Sequence, residues 1–238
     1  MAKKNRTLEN AAHYIEDQWI SLSDLMTGLM MIFMLIAISY MMKVESDQAK
    51  IREVALLYND LRNKLYEDLN KEFEKDLQDW GAEFDANLAL RFKEPEVLFA
   101  TGRDELNPRF KEILKNFFPR YLKIITSDKY KSSIQEIRIE GHTSSIWNGL
   151  TSSEEAYFQN MTLSQARTRS TLQFALGLNE ARSDSDWIKQ HVTANGLSSS
   201  KPILNSDGSE NIKKSQRVEF RIITDSEAKM RKITESIE

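Results

Sequence analysis

Residues Ile20 to Met42 form an apolar run of Leu, Met, Ile and Phe that carries a single formal charge, Asp24, near its start. Between Leu25 and Ile38 only Thr27 and Gly28 interrupt it. As a helix the run reaches about 34 Å, enough to cross a hydrocarbon core of roughly 30 Å. The pattern predicts a membrane-spanning helix over residues 19–42, with Trp19 and Tyr40 at its two ends where interfacial aromatics belong. A cleaved signal peptide fits poorly, because the run is long, holds an acid, and ends in Ser39-Tyr40-Met41-Met42-Lys43 without a small-x-small site. Basic residues flank the run almost equally, Lys3, Lys4 and Arg6 before it and Lys43, Lys50 and Arg52 after it. A short cytoplasmic tail over residues 1–18, with everything after Met42 outside, is the simpler arrangement.

A charged side chain at the centre of a bilayer helix costs about 3 kcal/mol on insertion scales. No basic residue inside the run can pair with Asp24. Two roles remain open on these residues, an ion or proton carrier and a polar contact to a partner helix. Ser21, Asp24, Thr27 and Gly28 recur at three- and four-residue spacings, which gathers them into one small, polar stripe on a helix. Small residues let a partner helix come close. A carboxyl neutral in one position and ionised in another couples ion passage to movement. Thr27 beside it is compatible with either H+ or Na+.

Residues 43–92 predict a helical connector. Apolar residues at Val54, Leu57, Leu61, Leu65, Leu69, Phe73, Leu77, Trp80, Phe84 and Leu88 follow helical steps, and charges fill the other faces. The stripe suits either a self-associating, dimeric stalk or a helix folded back onto the next domain. Its many four-residue steps leave a long regular heptad unassured.

From residue 93 to 225 strands and helices alternate. Val97-Leu98-Phe99-Ala100 reads as a strand, Asn107-Pro108 opens a helix, and Ser133 to Glu140 alternates as a strand. A loop through Asn148-Gly149 leads to a helix over Leu163–Leu178, followed by a short strand over His191–Leu197. Arg217 to Ile223 is the clearest alternating strand, and residues 226–238 are a polar tail. The order β-α-β-α-β-β predicts an α+β sandwich with helices on one face of a sheet.

A net charge of −3 argues against a nucleic-acid partner. The absence of cysteine removes disulfides and thiolate chemistry. His13, His142 and His191 lack metal-ligand spacing, and no phosphate-binding loop or nucleophile motif occurs. No enzyme, cofactor or metal site is expected.

Four ordered stretches resemble the OmpA-like peptidoglycan-binding domain: Leu98-Phe99 through Gly102 to Leu106, Ile139-Glu140-Gly141-His142-Thr143, Asn160 through Leu163-Ser164 to Arg167, and Gly196 to Pro202 with Gln216-Arg217-Val218-Glu219. The resemblance implies recognition of a peptidoglycan stem peptide, with Arg167 gripping a carboxylate and Asn160, Leu163, His142 and Ser144 around the same pocket. A guanidinium fork at a helix start suits a planar carboxylate. Ser144 stands where the family has an aspartate for the ligand's ammonium. Glu154 or Glu155 is a candidate replacement, and weaker or altered wall binding is the alternative.

The whole layout of span, connector and outer domain resembles MotB-type stator subunits, and Trp19 through Asp24 to Thr27 is similar to their opening motif. Ser23-Asp24-Leu25-Met26-Thr27-Gly28 and the altered Gly141-His142-Thr143-Ser144 are most similar to the branch working in the Zorya anti-phage system. This implies a single-pass bacterial inner-membrane protein with a periplasmic C-terminal domain. It also implies two copies inside a ring of five MotA-like (ZorA-type) subunits, with ion passage at Asp24 driving rotation. A flagellar stator subunit and a purely structural envelope tether stay open as alternatives.

Overall fold

A computed structural model of the chain describes residues 2–93, 95–147 and 152–225, without the side chains of residues 2–18, 20, 21, 57, 58, 95 and 96. The Asn148-Gly149 loop and the 226–238 tail lie outside the described residues. Residues 2–54 and 55–225 belong to two separate units, and helix α1 (Ala2–Leu77) contributes to both.

In the first unit, every side chain from Leu22 to Ser46 is exposed. Large apolar groups such as Leu25, Met30 and Phe33 stand in the open. A contiguous apolar surface of this kind is suited to lipid or to other helices. Among the described residues one helix is long and apolar enough to cross a membrane.

The second unit is built on strands β1 (Ala82–Phe84), β2 (Ala89–Phe92), β3 (Ile134–His142), β4 (Val192–Gly196) and β5 (Arg217–Thr224). They form one sheet in the order β1-β2-β5-β3-β4, with β3 and β4 parallel and the other neighbours antiparallel. Register sorts the side chains, because strand residues alternate between faces. Phe92, Val218 and Gly141 align across the sheet, as do Leu90, Phe220, Ile139 and Ala194. This apolar face packs on helices α3 (Pro108–Ile125) and α4 (Ser153–Leu176). Phe117 meets Phe220 with ring centroids 5.1 Å apart and Phe110 meets Phe92 at 5.4 Å. The α+β class with helices on one face is therefore realised.

Three expectations need correction. The connector is not helical through residue 92: α1 stops at Leu77, and a turn at Gly81 leads into the β1–β2 hairpin. Trp80, Phe84 and Leu88 continue the helical spacing, but only Phe84 lies in a strand, and Gly81 and Leu88 take positive φ values that an α-helix excludes. The strand expected at Val97–Ala100 is absent. Pro95–Leu98 is the short helix α2, and Phe99 makes only an isolated bridge to Leu106. Proline lacks a donor and its fixed φ suits a first helical turn. Finally, α4 begins at Ser153 rather than Leu163, started by a capping box in which Ser152 and Glu155 exchange side-chain to backbone hydrogen bonds.

The connector's apolar stripe is used within the chain. Leu65, Leu69 and Phe73 are fully buried in the second unit's core. Phe73 lies 5.3 Å from Phe117 and 5.8 Å from Trp80. Polar contacts flank them: Arg120 donates to Glu72 and Asp76 at 2.8 Å each, and Tyr130 and Lys129 donate to Asp68 at 2.6 and 2.7 Å. Of the two readings for this stretch, residues 61–77 follow the folded-back one, and these side chains are not free to form a stalk seam. Phe73→Ala is accordingly expected to cost about 3–5 kcal/mol of stability. A guanidinium titration of the solubilised chain measures it, and an unchanged midpoint would mean that the helix does not belong to this core.

Candidate functional site

On α1, Asp24 is exposed, with Thr27 and Gly28 one turn further along. Thr27 Oγ1 donates to the Ser23 carbonyl oxygen at 2.8 Å. That bond uses the hydroxyl proton and leaves the oxygen lone pairs as acceptors beside the carboxylate. A Cβ added at Gly28 would meet no heavy atom within 4 Å, so the stripe is open to an approaching helix. Ser21 falls on the same stripe by spacing, and its side chain lies outside the described residues.

In the second unit, the end of β3 is pressed against α4. A Cβ at Gly141 would come within 2.7 Å of Thr168 Cγ2 and 2.8 Å of the Ser164 carbonyl oxygen. At Gly196 the clash would be with the Gln165 backbone nitrogen. Only glycine permits approaches this close. Ser164 locks the junction: its hydroxyl donates to Met161 O at 3.0 Å and accepts from the Ser198 amide at 3.1 Å. The Ser198 carbonyl in turn accepts from the Thr143 amide at 2.9 Å. These bonds fix the loop Thr143–Ile146 that follows β3.

Arg167 lies at the centre of the assembly. It is 8% exposed, its Nε donates to Arg103 O at 2.9 Å, and an Nη donates to Ala100 O at 3.4 Å. The guanidinium stands 4.9 Å from the Phe99 ring centroid. Among the described residues no carboxylate comes within ion-pair distance of it. Burial pushes Arg167 down to about 10, offset in part by the charge of Asp104, so it stays protonated at neutral pH. It does not stand at a helix start: α4 begins at Ser153 and Arg167 lies in its second half, beyond the reach of the N-terminal amides. The loop carbonyls and the Phe99 ring hold it instead.

Of the other expected residues, Asn160 is buried and donates from Nδ2 to Ile146 O at 3.3 Å. Ser144 is buried with its Oγ accepting from Gln216 Nε2 at 3.4 Å, and Leu163 is half-buried. His142 lines one small cavity with Arg167, Phe99, Ser164 and Arg217. Glu155 is committed to the helix cap, while Glu154 is exposed.

The sheet's second face holds a buried charge network that the sequence did not disclose. Glu219 Oε1 accepts from Arg217 Nε at 2.7 Å and Arg91 Nε at 2.8 Å, and its Oε2 accepts from Arg221 at 2.6 Å. Arg221 Nε also reaches Glu140 at 3.2 Å, and His142 Nε2 lies 3.6 Å from Glu140 Oε2. Burial pushes the His142 imidazole below its ordinary value and so favours its neutral form. Glu140, His142 and Glu219 bring possible ligand atoms within 4.8 Å of one another. Three guanidinium groups already compensate these carboxylates, which makes the cluster an ion-pair network rather than a cation cage.

A further acid missed from the sequence is Glu210, whose carboxylate accepts from the Ser145 amide at 3.1 and 3.2 Å and from the Ser145 hydroxyl. No local spacing could have revealed a partner so distant in the chain.

No protein-family model matches the sequence. The chain is 49% identical over 218 residues to the Zorya protein ZorB of Escherichia coli, covering 91% of this chain and 92% of the relative. Among solved structures, a MotB-like protein from Desulfovibrio vulgaris matches with a TM-score of 0.50 and 24% identity, over 73% of this chain and 98% of that one. That match shows a shared fold.

Proposed function

The chain belongs to the ZorB family, and on that premise we propose that it is a stator subunit of an ion-driven bacterial inner-membrane motor, anchored to peptidoglycan and acting in anti-phage defence. The observation that carries this reading is Asp24, the one charge in the apolar stretch 20–42 of α1, beside a hydroxyl acceptor at Thr27 and an open face at Gly28. An isolated carboxylate in lipid is costly, and a small-residue face lets a second helix approach and cover it. MotA-like (ZorA-type) subunits, five around two copies of this chain, supply that face, and H+ is the ion we favour over Na+. Movement of each charge across the membrane delivers about 2.3 kcal/mol per 100 mV. Residues 1–18 are cytoplasmic and the sheet-containing unit is periplasmic.

The anchoring part of the reading is supported by Arg167, a buried cation with no carboxylate in ion-pair distance among the described residues and only the more distant charge of Asp104 to offset it. Such a group is prepared for a carboxylate from outside, and peptidoglycan stem peptides carry carboxylates. The reading needs neither catalysis nor a cofactor.

Reconstitution tests the motor. Co-purified with its ring partner in vesicles, the full chain should support ion flux that a pH gradient or a membrane potential drives. Flux that does not require the partner, or no flux from a stable complex under either gradient, would overturn the motor reading.

A further inference from the structure

We infer that Glu210 is the group that receives an ammonium of the bound wall peptide, so that the site reads a zwitterion with its carboxylate at Arg167 and its ammonium at Glu210. The inference rests on the wall-binding reading above and adds to it the second half of the ligand. It begins with two opposite charges, each without an oppositely charged side chain in ion-pair distance among the described residues. Arg167 has no carboxylate within ion-pair distance among the described residues. Glu210 likewise has no lysine, arginine or histidine within that distance among them. Its donors are the neutral amide and hydroxyl of Ser145.

The segment that closes β3 is bonded to Glu210 directly and, through Asn160, to the helix that carries Arg167. Ser145, which holds Glu210, follows Ser144 directly, and Ile146 accepts from Asn160 on α4, the helix that carries Arg167. Glu210 is also held from its own side. It forms an isolated bridge to Leu204, and the Asn211 amide donates to Ile203 O at 2.7 Å. The Asn211 side chain accepts from the Lys214 amide at 2.9 Å. A carboxylate fixed in this way keeps lone pairs free beyond its bonds to Ser145. It is half-buried, which strengthens its attraction for a cation over that of a fully solvated acid.

The other acids near the loop fit less well. Glu155 spends its carboxylate on the Ser152 amide, and Glu154 is exposed. Ser144 is uncharged and turned toward Gln216. Glu210 is the acid that the structure attaches to the loop.

The test uses the full, detergent-solubilised chain and co-sedimentation with isolated diaminopimelate-type sacculi, either native or N-acetylated so that free ammonium groups become amides. Glu210→Gln keeps one oxygen to accept from Ser145, puts an amide NH2 in place of the other and removes the charge. The wild type should bind acetylated sacculi about tenfold more weakly than native ones, the worth of one charge-assisted hydrogen bond. E210Q should bind native sacculi about tenfold more weakly than the wild type and be indifferent to acetylation. The double variant carrying S144D with E210Q should regain both affinity and sensitivity. If E210Q binds as the wild type does, or stays equally sensitive to acetylation, Glu210 is not the ammonium site and wall binding still stands. If the wild type does not sediment with native sacculi, the wall-binding reading falls, and this inference falls with it.

Discussion

Asp24→Asn should reduce phage protection to that of cells lacking the system, while the amount of chain in the membrane stays normal. Asparagine has nearly the same shape as aspartate but cannot carry a charge, so the electrical driving force of about 2.3 kcal/mol per charge per 100 mV has nothing to act on. The substitution also replaces a charge by a neutral amide, which lowers the cost of insertion, so poor membrane integration is not the expected cause of a loss. Asp24→Glu serves as the companion. It keeps the charge and lengthens the side chain by one methylene, and an intermediate phenotype is expected from a carrier whose partner face is shaped for Asp. Plaque counts on matched strains, with immunoblots of the membrane fraction, give the answer. Undiminished protection by the Asn variant would favour the tether reading, in which the span only holds the chain in place.

The ease with which Asp24 is found contrasts with the outer site. The span was legible because lipid imposes one requirement on every residue from Ile20 to Met42, and a single exception stands out. β3 and β5 were legible because one buried face forces alternation, seen in Ile137 and Ile139 and again in Val218, Phe220 and Ile222. The β1–β2 hairpin was not, because Ala82–Phe84 and Ala89–Phe92 are too short for alternation to show, and their spacing continues a helical pattern. The capping box of Ser152 and Glu155 was present in the sequence as a Ser-x-x-Glu signal, and it moves the start of α4 well ahead of Leu163. Arg167 could be matched to a motif, but its support by the carbonyls of Ala100 and Arg103 could not. Backbone acceptors have no residue identity to read.

The folded-back connector bears on the anchoring role proposed above. Leu65, Leu69 and Phe73 belong to the core of the second unit, so residues 61–77 cannot leave the domain without breaking its packing. That proposed role would need such rigidity under load. The paired serines Ser164 and Ser198 supply it near Arg167, where hydrogen bonds join α4, the turn after β4 and the end of β3. Arg167 and the loop at Ser144 are thus mounted on one braced junction.

The charge network on the other face of the sheet should carry a stability effect as large as that of the aromatic core. Glu219→Gln leaves the buried Arg217 without its anion, and breaking one partner of such a pair costs about 3–5 kcal/mol. Glu83→Gln, at the exposed end of the same network, should cost less than about 1 kcal/mol. The two variants also separate in acid. Burial alone would raise the Glu219 carboxyl, but hydrogen bonds from Arg217 and Arg91 outweigh it and hold the group at about 2. A carboxylate with a depressed folded pKa stabilises the fold above its unfolded value, near 4.5, and that contribution disappears as pH falls through the interval down to about 2. The amount is on the order of 3 kcal/mol. Glu140, also held below the usual range against burial by His142 and Arg221, acts with the same sign. Urea midpoints measured at pH 6, 4 and 2.5 should therefore fall steeply for the wild type and for E83Q, and less steeply for E219Q. Parallel acid limbs in all three would mean that Glu219 is not the anion on which this face depends.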